Sequence, residues 1–147
     1  LEQLCERDSL TGLYNRHAFD GLVSELQDGP LLPLGLITLD LNDLKQVNDR
    51  FGHVAGDALL EQTALCLSRF SPDAFRLGGD EFVIVSQNGT EQTVLDLIAA
   101  LRCDFDRHEL SVSLGFAYQT ATTDVLDLLR KADQMMYQEK QRSKTLV

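Results

Sequence analysis

The sequence predicts an α+β fold in which a mixed or mainly antiparallel sheet is flanked by helices. Two short apolar runs flank the pair Gly78-Gly79, and a glycine pair between strand-like runs is a strong hairpin signal because tight hairpin turns need positive φ. The apolar run over residues 34–41 has the length of a strand and is apolar on both faces. Apolar residues at helical spacing between these runs supply the flanking helices. A hairpin in the middle of the chain excludes a purely parallel sheet.

The individual elements are predicted from periodicity and from residues that start or end helices. Asn15 is the expected N-cap of the first helix, and Asp28-Gly29-Pro30 ends it. Residues 42–53 are expected to form a short helix that ends near Gly52, and a long helix is expected from Asp57. The remaining predicted elements are the hairpin after residues 71–73, a helix that includes residues 94–101, a strand over 110–118 and a last helix capped by 122–124.

Composition and charge restrict the class of partner. The chain has 147 residues, of which 44% are hydrophobic, and this suits one globular domain with a sizeable core. No apolar run reaches the length of a membrane span, so we expect no membrane contact by this domain. The net charge is −10, and Lys45 and Lys140 belong to no basic stripe, which argues against a nucleic-acid duplex as partner. A nucleotide held through divalent cations stays compatible with this charge.

The three cysteines bear on the compartment. Cys5, Cys66 and Cys103 are odd in number and widely spaced, without a CxxC or Cys/His metal spacing. We expect Cys66 and Cys103 to be small buried side chains on helices in a reducing compartment, and therefore a cytoplasmic location for the domain.

Leu1-Glu2-Gln3-Leu4-Cys5 is an apolar-periodic fragment. We expect residues 1–7 to be the tail of an upstream linker helix and residues 8–147 to form the domain.

Three carboxylates are candidates for a metal site. Asp40 comes at the carboxyl end of the first strand, and Asp80 and Glu81 follow the glycine pair. If the strand and the hairpin are sheet neighbours, these acids meet at one end of the sheet, where they repel unless they bind cations or stay partly protonated. Oxygen-only ligands suit Mg²⁺, and two such ions support attack of a 3′-hydroxyl on an α-phosphate. The alternatives are a strand-terminating acid and a solvated hairpin tip.

Asn48 and Asp57 are candidates for reading a nucleobase. An Asp carboxylate can accept from N1–H and N2–H of guanine while an Asn amide meets N3 and N2. The alternative is that Asn48 is a helix C-cap and Asp57 a helix N-cap, since both residue types favour those places.

At this point the chain resembles the GGDEF family, the diguanylate cyclases that condense two GTP into cyclic di-GMP. Five motifs in the right order carry the resemblance over nearly the whole chain. They are residues 8–16, residues 40–49 with 51–53 and 56–57, Arg76-Leu77-Gly78-Gly79-Asp80-Glu81-Phe82, Ser113-Leu114-Gly115, and residues 132–137 with Lys140.

The resemblance implies a palm-like nucleotide cyclase fold with a five-stranded, largely antiparallel sheet. It also implies a metal site and a GTP site. Two Mg²⁺ ions per half-site, or Mn²⁺, are implied at Asp40, the Leu41 carbonyl, Asp80 and Glu81. Asp80, Glu81 and Lys45 are implied as catalytic, with Glu81 helping to take the 3′-proton. The implied GTP-binding residues are Asp43, Leu44, Asn48, His53, Asp57, Lys140 and Lys144.

The resemblance further implies partners. Each domain is a half-site with one GTP, so catalysis needs a homodimer whose two domains face each other. A sensor or dimerisation domain is implied on the N-terminal side in the full-length chain.

Some positions depart from the family pattern. Asn42 and Leu44 stand where many members have Asp and Phe, and we expect little loss because Asn42 lies beside Asp40 rather than replacing it. Lys144 falls where a phosphate-binding Arg is usual and cannot make the bidentate contact, although Arg142 could substitute.

The inhibitory product site of the family also departs from its pattern. It is usually Arg-x-x-Asp, and here Arg69 is present, Pro72 takes the place of the acid and Asp73 comes one residue late. We therefore expect feedback inhibition through this site to be absent or weak.

The leading prediction is an active diguanylate cyclase. A catalytically weak or inactive GTP-binding regulatory module is the alternative from another class, and a cyclase for a mixed purine dinucleotide is a third interpretation. The presence of all the implied acids and guanine-binding residues favours activity.

Overall fold

The structure is a computed structural model that describes residues 5–122 and 124–145, except for the side chains of 144 and 145. Its elements follow one another as helix, strand, two helices, hairpin, helix, strand and helix, which is the order that the sequence predicts. In chain order they are α1 (Arg16–Asp28), β1 (Leu34–Leu41), α2 (Leu44–Phe51), α3 (His53–Phe70), β2 (Ala74–Gly78), β3 (Glu81–Gln87), α4 (Glu91–Arg107), β4 (Val112–Gln119) and α5 (Val125–Thr145).

The sheet has the strand order β2-β3-β1-β4, and every neighbouring pair is antiparallel. This confirms the predicted antiparallel sheet flanked by helices. The expected five strands are wrong, because the described residues form four. Tyr14 lies beside the edge strand β2, and its pairings with Phe75 and with Arg7 are isolated bridges outside the four strands. Asn15 caps α1 directly after Tyr14, which leaves no residues for a fifth strand there.

The sheet is covered on both faces. All eight residues of β1 are buried, as expected for a central strand. Ile37, Leu39 and Leu41 belong to the core on the α3–α4 face, whereas Leu34 and Leu36 belong to the core on the α1–α5 face. Since side chains alternate along a strand, Asp40 faces the α1–α5 side.

Gly115 allows α5 to lie close to β4. A Cβ atom at this position would come within 2.2 Å of the Met136 backbone nitrogen and 2.3 Å of the Ala132 carbonyl oxygen. Backbone atoms cannot yield as a flexible side chain can, so only glycine fits here. Because α5 packs this closely on the sheet, Lys140 of α5 lies next to the end of β1.

The helix starts agree with the sequence at α1 and differ at α3. The side chain of Asn15 accepts a hydrogen bond from the Ala18 amide at 3.0 Å, which confirms the expected N-cap. The long helix starts at His53 and not at Asp57, because Gly52, with φ of 90°, ends α2 and turns the chain directly into α3. Asp57 is therefore inside α3, and Asn48 is inside α2, so the capping alternatives for both residues are wrong.

The predicted hairpin joins β2 to β3. Gly78 pairs with Glu81, which leaves Gly79 and Asp80 as the turn residues. Gly78 and Gly79 have φ of 147° and 51°, values that favour glycine.

The Arg76 side chain fixes this turn in place. Its guanidinium donates to the Gly79 carbonyl at 2.8 and 3.1 Å and to Asp8 at 3.1 Å. Asp8 also accepts from the amide and hydroxyl of Thr11. These contacts connect the N-terminal loop to the turn that carries Asp80.

The cysteine prediction is confirmed at one of its two positions. Cys66 is buried, with 1% exposure, but Cys103 is exposed. Cys103 lies two residues from the buried Leu101 and Phe105, which places it on the opposite side of α4.

The predicted N-terminal linker helix is not seen in the described residues. Of the predicted linker helix over 1–7, residues 1–4 lie outside the described residues, and residues 5–7 are not helical. The boundary between residues 7 and 8 stays a prediction. In the described part of the chain, no helix is long and apolar enough to cross a membrane.

Candidate active site

Two of the predicted metal-binding acids lie close together at one end of the sheet. Asp40 is the cross-strand partner of Glu81, and Asp80 is the turn residue just before Glu81. The carboxyl groups of Asp40 and Asp80 lie close enough that Asp80 disfavours the negative charge of Asp40. The Asp80 carbonyl also accepts from the Leu41 amide at 3.0 Å, so the turn is tied to the end of β1. The sheet register therefore places all three acids at this end.

The environment of Asp40 disfavours its negative charge. Burial and then the neighbouring Asp80 raise the pKa of Asp40 to about 6, although Lys140 opposes the shift. The Lys140 ammonium lies 2.8 Å from Asp40 Oδ2. The other carboxyl oxygen, Oδ1, is buried without a hydrogen-bond partner in the described part of the protein.

These residues fit a hard divalent cation. A buried carboxylate oxygen without a partner, facing a second carboxylate, is costly unless a cation or a proton neutralises it. The donors are all oxygens, which Mg²⁺ and Mn²⁺ prefer. Asp40 and Asp80 are the members of the predicted set that lie close enough for one to raise the pKa of the other.

A cavity of about 270 Å³ opens beside the acidic pair. Its lining includes Asp80, Lys140, Lys45 and the first residues of α2. Asp43 precedes α2 with φ of 65° and makes no side-chain cap, so the first amides of the helix keep their capacity to bind an anion. The cavity thus combines acidic groups that can bind a cation with positive groups that can bind an anion. A polyphosphate with a bound metal ion needs both kinds of group. The complete lining is Asn42, Asp43, Leu44, Lys45, Gln46, Asp80, Lys140 and Ser143.

The predicted base-reading residues lie outside the lining of this cavity. Asn48 Oδ1 is buried without a hydrogen-bond partner within the described residues and packs against Gly56, where a Cβ would come within 1.7 Å of it. Asp57 and His53 are exposed on the first two turns of α3. An amide held by packing and an exposed carboxylate nearby in the chain can together hydrogen-bond a base.

Other predicted positions have different surroundings. Asn42 donates to Ser111 Oγ at 3.0 Å and accepts from Ser113 Oγ at 2.9 Å, so its side chain ties β1 to β4. Arg69 binds Asp104 on α4 at 2.8 Å. Lys144 lies on α5, and its side chain is outside the described part of the chain.

Sequence reasoning missed two contributors to this site. Arg76 holds the turn through its contacts with Asp8 and the Gly79 carbonyl, whereas the sequence marks Arg76 and Asp8 only as parts of family motifs. Asp133 of α5 lies close enough to Glu81 that, after burial, the charge of Glu81 raises the pKa of Asp133. No local pattern signals either relationship, because each joins segments far apart in the chain.

Comparisons with known proteins bear on these observations. Residues 5–145 match the family described as diguanylate cyclase, GGDEF domain. The diguanylate cyclase DgcS of Shewanella oneidensis is 33% identical over 90% of this chain and 49% of its own length. The cyclic di-GMP phosphodiesterase PdeR of Escherichia coli is 35% identical over 96% of this chain and 23% of its own length.

Solved structures give the same family. The GGDEF domain of DgcB from Caulobacter crescentus, solved in complex with c-di-GMP, is 26% identical and has a TM-score of 0.81, with 96% of this chain and 93% of that chain covered. The chain spans half or less of the length of the curated relatives named above.

Proposed function

Because the chain belongs to the GGDEF family of diguanylate cyclases, we propose that it condenses two molecules of GTP into cyclic di-GMP. The observation that carries this proposal is the proximity of Asp40 and Asp80 beside a cavity that also presents Lys45 and Lys140. Facing acids suit divalent cations, and cationic side chains with a helix N-terminus suit the phosphates that accompany those cations.

The proposed reaction is the attack of a 3′-hydroxyl on an α-phosphate. Each attack forms one P–O bond and breaks the bond between the α- and β-phosphates, so two attacks close the ring and release two pyrophosphates. The residues that would hold two Mg²⁺ or Mn²⁺ ions are Asp40, Asp80, Glu81 and the carbonyl of Leu41. Such ions lower the pKa of the attacking hydroxyl and neutralise phosphate charge.

The remaining residues of the cavity are proposed to bind and orient the triphosphate. Lys45 and Lys140 supply positive charge where negative charge develops, and the amides near Asp43 and Leu44 bind phosphate oxygens. Lys144 is proposed to join them from the end of α5. Glu81, which is exposed next to the turn, is proposed to take the proton of the 3′-hydroxyl.

The guanine base is proposed to bind at Asn48 and Asp57, with His53 nearby. The carboxylate of Asp57 accepts from the two guanine N–H groups, whereas adenine presents no donor at N1. The packing of Asn48 against Gly56 supports this assignment, because it restricts where the amide can lie.

Catalysis is proposed to need two copies of the chain. The attacking hydroxyl comes from the GTP that the second copy holds, so each chain supplies one half of the active site in an antiparallel homodimer. We further propose that an upstream sensor or dimerisation domain controls this encounter in the full-length protein, which acts in the cytoplasm where GTP is available.

Product analysis tests the proposed function. The purified chain is incubated with GTP and Mg²⁺, and separately with ATP and Mg²⁺, at several protein concentrations, and the nucleotides are separated by chromatography. We expect cyclic di-GMP from GTP alone, formed more than in proportion to protein concentration because a dimer is needed. Tight GTP binding without turnover at high concentration would instead indicate a regulatory binding module, and products that contain adenine would indicate a mixed-purine cyclase.

A further inference from the structure

A second cluster of chemically reactive side chains lies on the opposite face of the sheet from Asp40. It joins Cys66 of α3 to Asp104 of α4 and to His108, the C-cap of α4. One potential ligand atom from each residue lies within 4.8 Å of the other two. Cys66 and Asp104 are buried, whereas the His108 side chain is 39% exposed, so the cluster opens to solvent on one side.

A single nitrogen of Arg69 contacts all three residues of this cluster. Arg69 Nη2 lies 2.8 Å from Asp104 Oδ2, 3.1 Å from His108 Nε2 and 3.4 Å from Cys66 Sγ. A positive group thus occupies the point on which a sulfur, a nitrogen and an oxygen donor converge. Arg69 is 45% exposed, so its guanidinium can rotate into solvent without disturbing the core.

The three donors match the ligand chemistry of zinc. Thiolate, imidazole and carboxylate are the ligand types that Zn²⁺ takes in proteins, and a site with three protein ligands leaves a fourth position for water. Zinc with bonds of about 2.0–2.3 Å needs donors roughly 3.4–3.8 Å apart, and the separations here are close enough for side-chain rotation to reach that geometry.

We propose that Cys66, Asp104 and His108 form a binding site for a zinc-type divalent cation, and that Arg69 occupies this site when no metal is bound. Metal entry displaces the guanidinium to solvent and releases the Cys66 proton. The guanidinium takes away one positive charge, and the divalent cation together with the Cys66 thiolate brings a net charge of one back beside Asp104. This site is separate from the acids proposed to bind Mg²⁺.

Cobalt(II) absorption tests the site, because a thiolate ligand gives an intense charge-transfer band that oxygen ligands do not give. The background is Cys5→Ser/Cys103→Ser, which replaces two exposed cysteines and leaves Cys66 as the remaining thiol of the three. We expect a charge-transfer band on Co²⁺ addition and its loss on Zn²⁺ addition. The Asp40–Asp80 pair cannot produce this band, since its donors are oxygens.

Two further substitutions in this background identify the ligands and the role of Arg69. His108→Ala, at the end of α4, should weaken Co²⁺ binding by roughly 10-fold or more. Arg69→Leu should tighten binding by about 10-fold if Arg69 occupies the site nine-tenths of the time. Arg102→Leu is the matched control, because Arg102 on α4 is an arginine of similar exposure, 47%, that pairs with Glu139 and not with the cluster. It should leave Co²⁺ binding unchanged.

Two results would overturn the proposal. One is the absence of a charge-transfer band both in the Cys5→Ser/Cys103→Ser background and after Arg69→Leu is added to it. The other is a Co²⁺ affinity, measured from a titration of the band, that is the same after His108→Ala as before it. If Arg69→Leu does not fold, the background and its His108→Ala derivative still decide the question.

Discussion

The Lys140 ammonium on α5 lies 2.8 Å from Asp40 Oδ2 at the end of β1, although the two residues are 100 positions apart in the chain. Asp40 also lies close to Asp80, a second carboxyl group. Lys140 therefore supplies the positive charge that lets two acids share one end of the sheet, and it does so from the wall of the proposed triphosphate cavity.

Replacement of Lys140 by methionine should remove this positive charge while keeping most of the side-chain volume. We expect cyclic di-GMP formation to fall by about 10²-fold, the usual loss when one charge-stabilising group is removed from an active site. Lys131→Met on the same helix is the control, because Lys131 is exposed and pairs with Asp127. Initial rates of product formation are compared at equal protein concentration, and equal rates for Lys140→Met and the control would count against the assignment.

The raised pKa of Asp40 should make stability depend on pH in a defined direction. Its pKa is about 6 in the folded protein and about 3.9 in an unfolded chain. Because the folded state binds the Asp40 proton more tightly than the unfolded state does, protonation of Asp40 stabilises the fold. This contribution is complete below pH 3.9 and is lost as the pH rises through 6. We measure stability with a metal chelator present. As the pH rises from 4 to 7, we expect the free energy of unfolding of Asp40→Asn, relative to that of the wild type, to increase by about 1–2 kcal/mol.

Denaturant unfolding of the wild type and Asp40→Asn at each pH gives this difference. The difference between the two proteins cancels the pH dependence that other acids give to both. Asp8 is one such acid with an effect of opposite sign: burial raises its pKa, but hydrogen bonds from Thr11 and Arg76 outweigh burial and lower it. Asp49→Asn, at an exposed position of α2, is the control. A stability difference between Asp40→Asn and the wild type that does not change with pH would contradict the expectation.

Gly56→Ala should impair GTP binding through Asn48. The added Cβ would lie 1.7 Å from Asn48 Oδ1, which is the end of a side chain and can move. We therefore expect the fold to survive, since alanine favours a helix, and GTP affinity to fall by roughly 10-fold, the cost of losing about one hydrogen bond to the base.

Gly21→Ala is the control for this substitution. Gly21 is in α1, and a Cβ there meets nothing within 4 Å, so the change should raise stability by about 0.5–1 kcal/mol and leave GTP affinity unaltered. GTP affinity is measured by calorimetry with a non-hydrolysable analogue. If Gly56→Ala leaves the GTP affinity unaltered, the proposal that Asn48 binds the base is wrong.

The elements of the fold were predictable from the sequence because their signals are local. The eight buried residues of β1, the Asn15 cap and the glycine hairpin all correspond to short patterns in the chain. The start of α3 was misplaced because its first turn buries little apolar surface: Val54 is 85% exposed, so hydrophobic periodicity begins only after it. The count of strands came from family resemblance and not from a local signal.

The candidate site was predictable only in part. Asp40 and the Asp80 turn could be placed at one sheet end from an assumed strand pairing, and the register agrees with that assumption. The Asp40–Lys140 ion pair and the convergence of Arg69 on the Cys66, Asp104 and His108 cluster depend on how helices pack on the sheet. Packing of this kind joins residues 35 to 100 positions apart, which no periodicity reports.

Asp80→Asn tests the central claim most directly. This change keeps the size of the side chain, removes one of the two facing carboxylates and relieves their repulsion, so we expect an intact fold by circular dichroism. Cyclic di-GMP formation from GTP and Mg²⁺ should fall below detection in Asp80→Asn while the wild-type chain forms it under the same conditions. Product formation by Asp80→Asn at the wild-type rate would contradict the proposal that the Asp40–Asp80 pair holds the cations for GTP condensation.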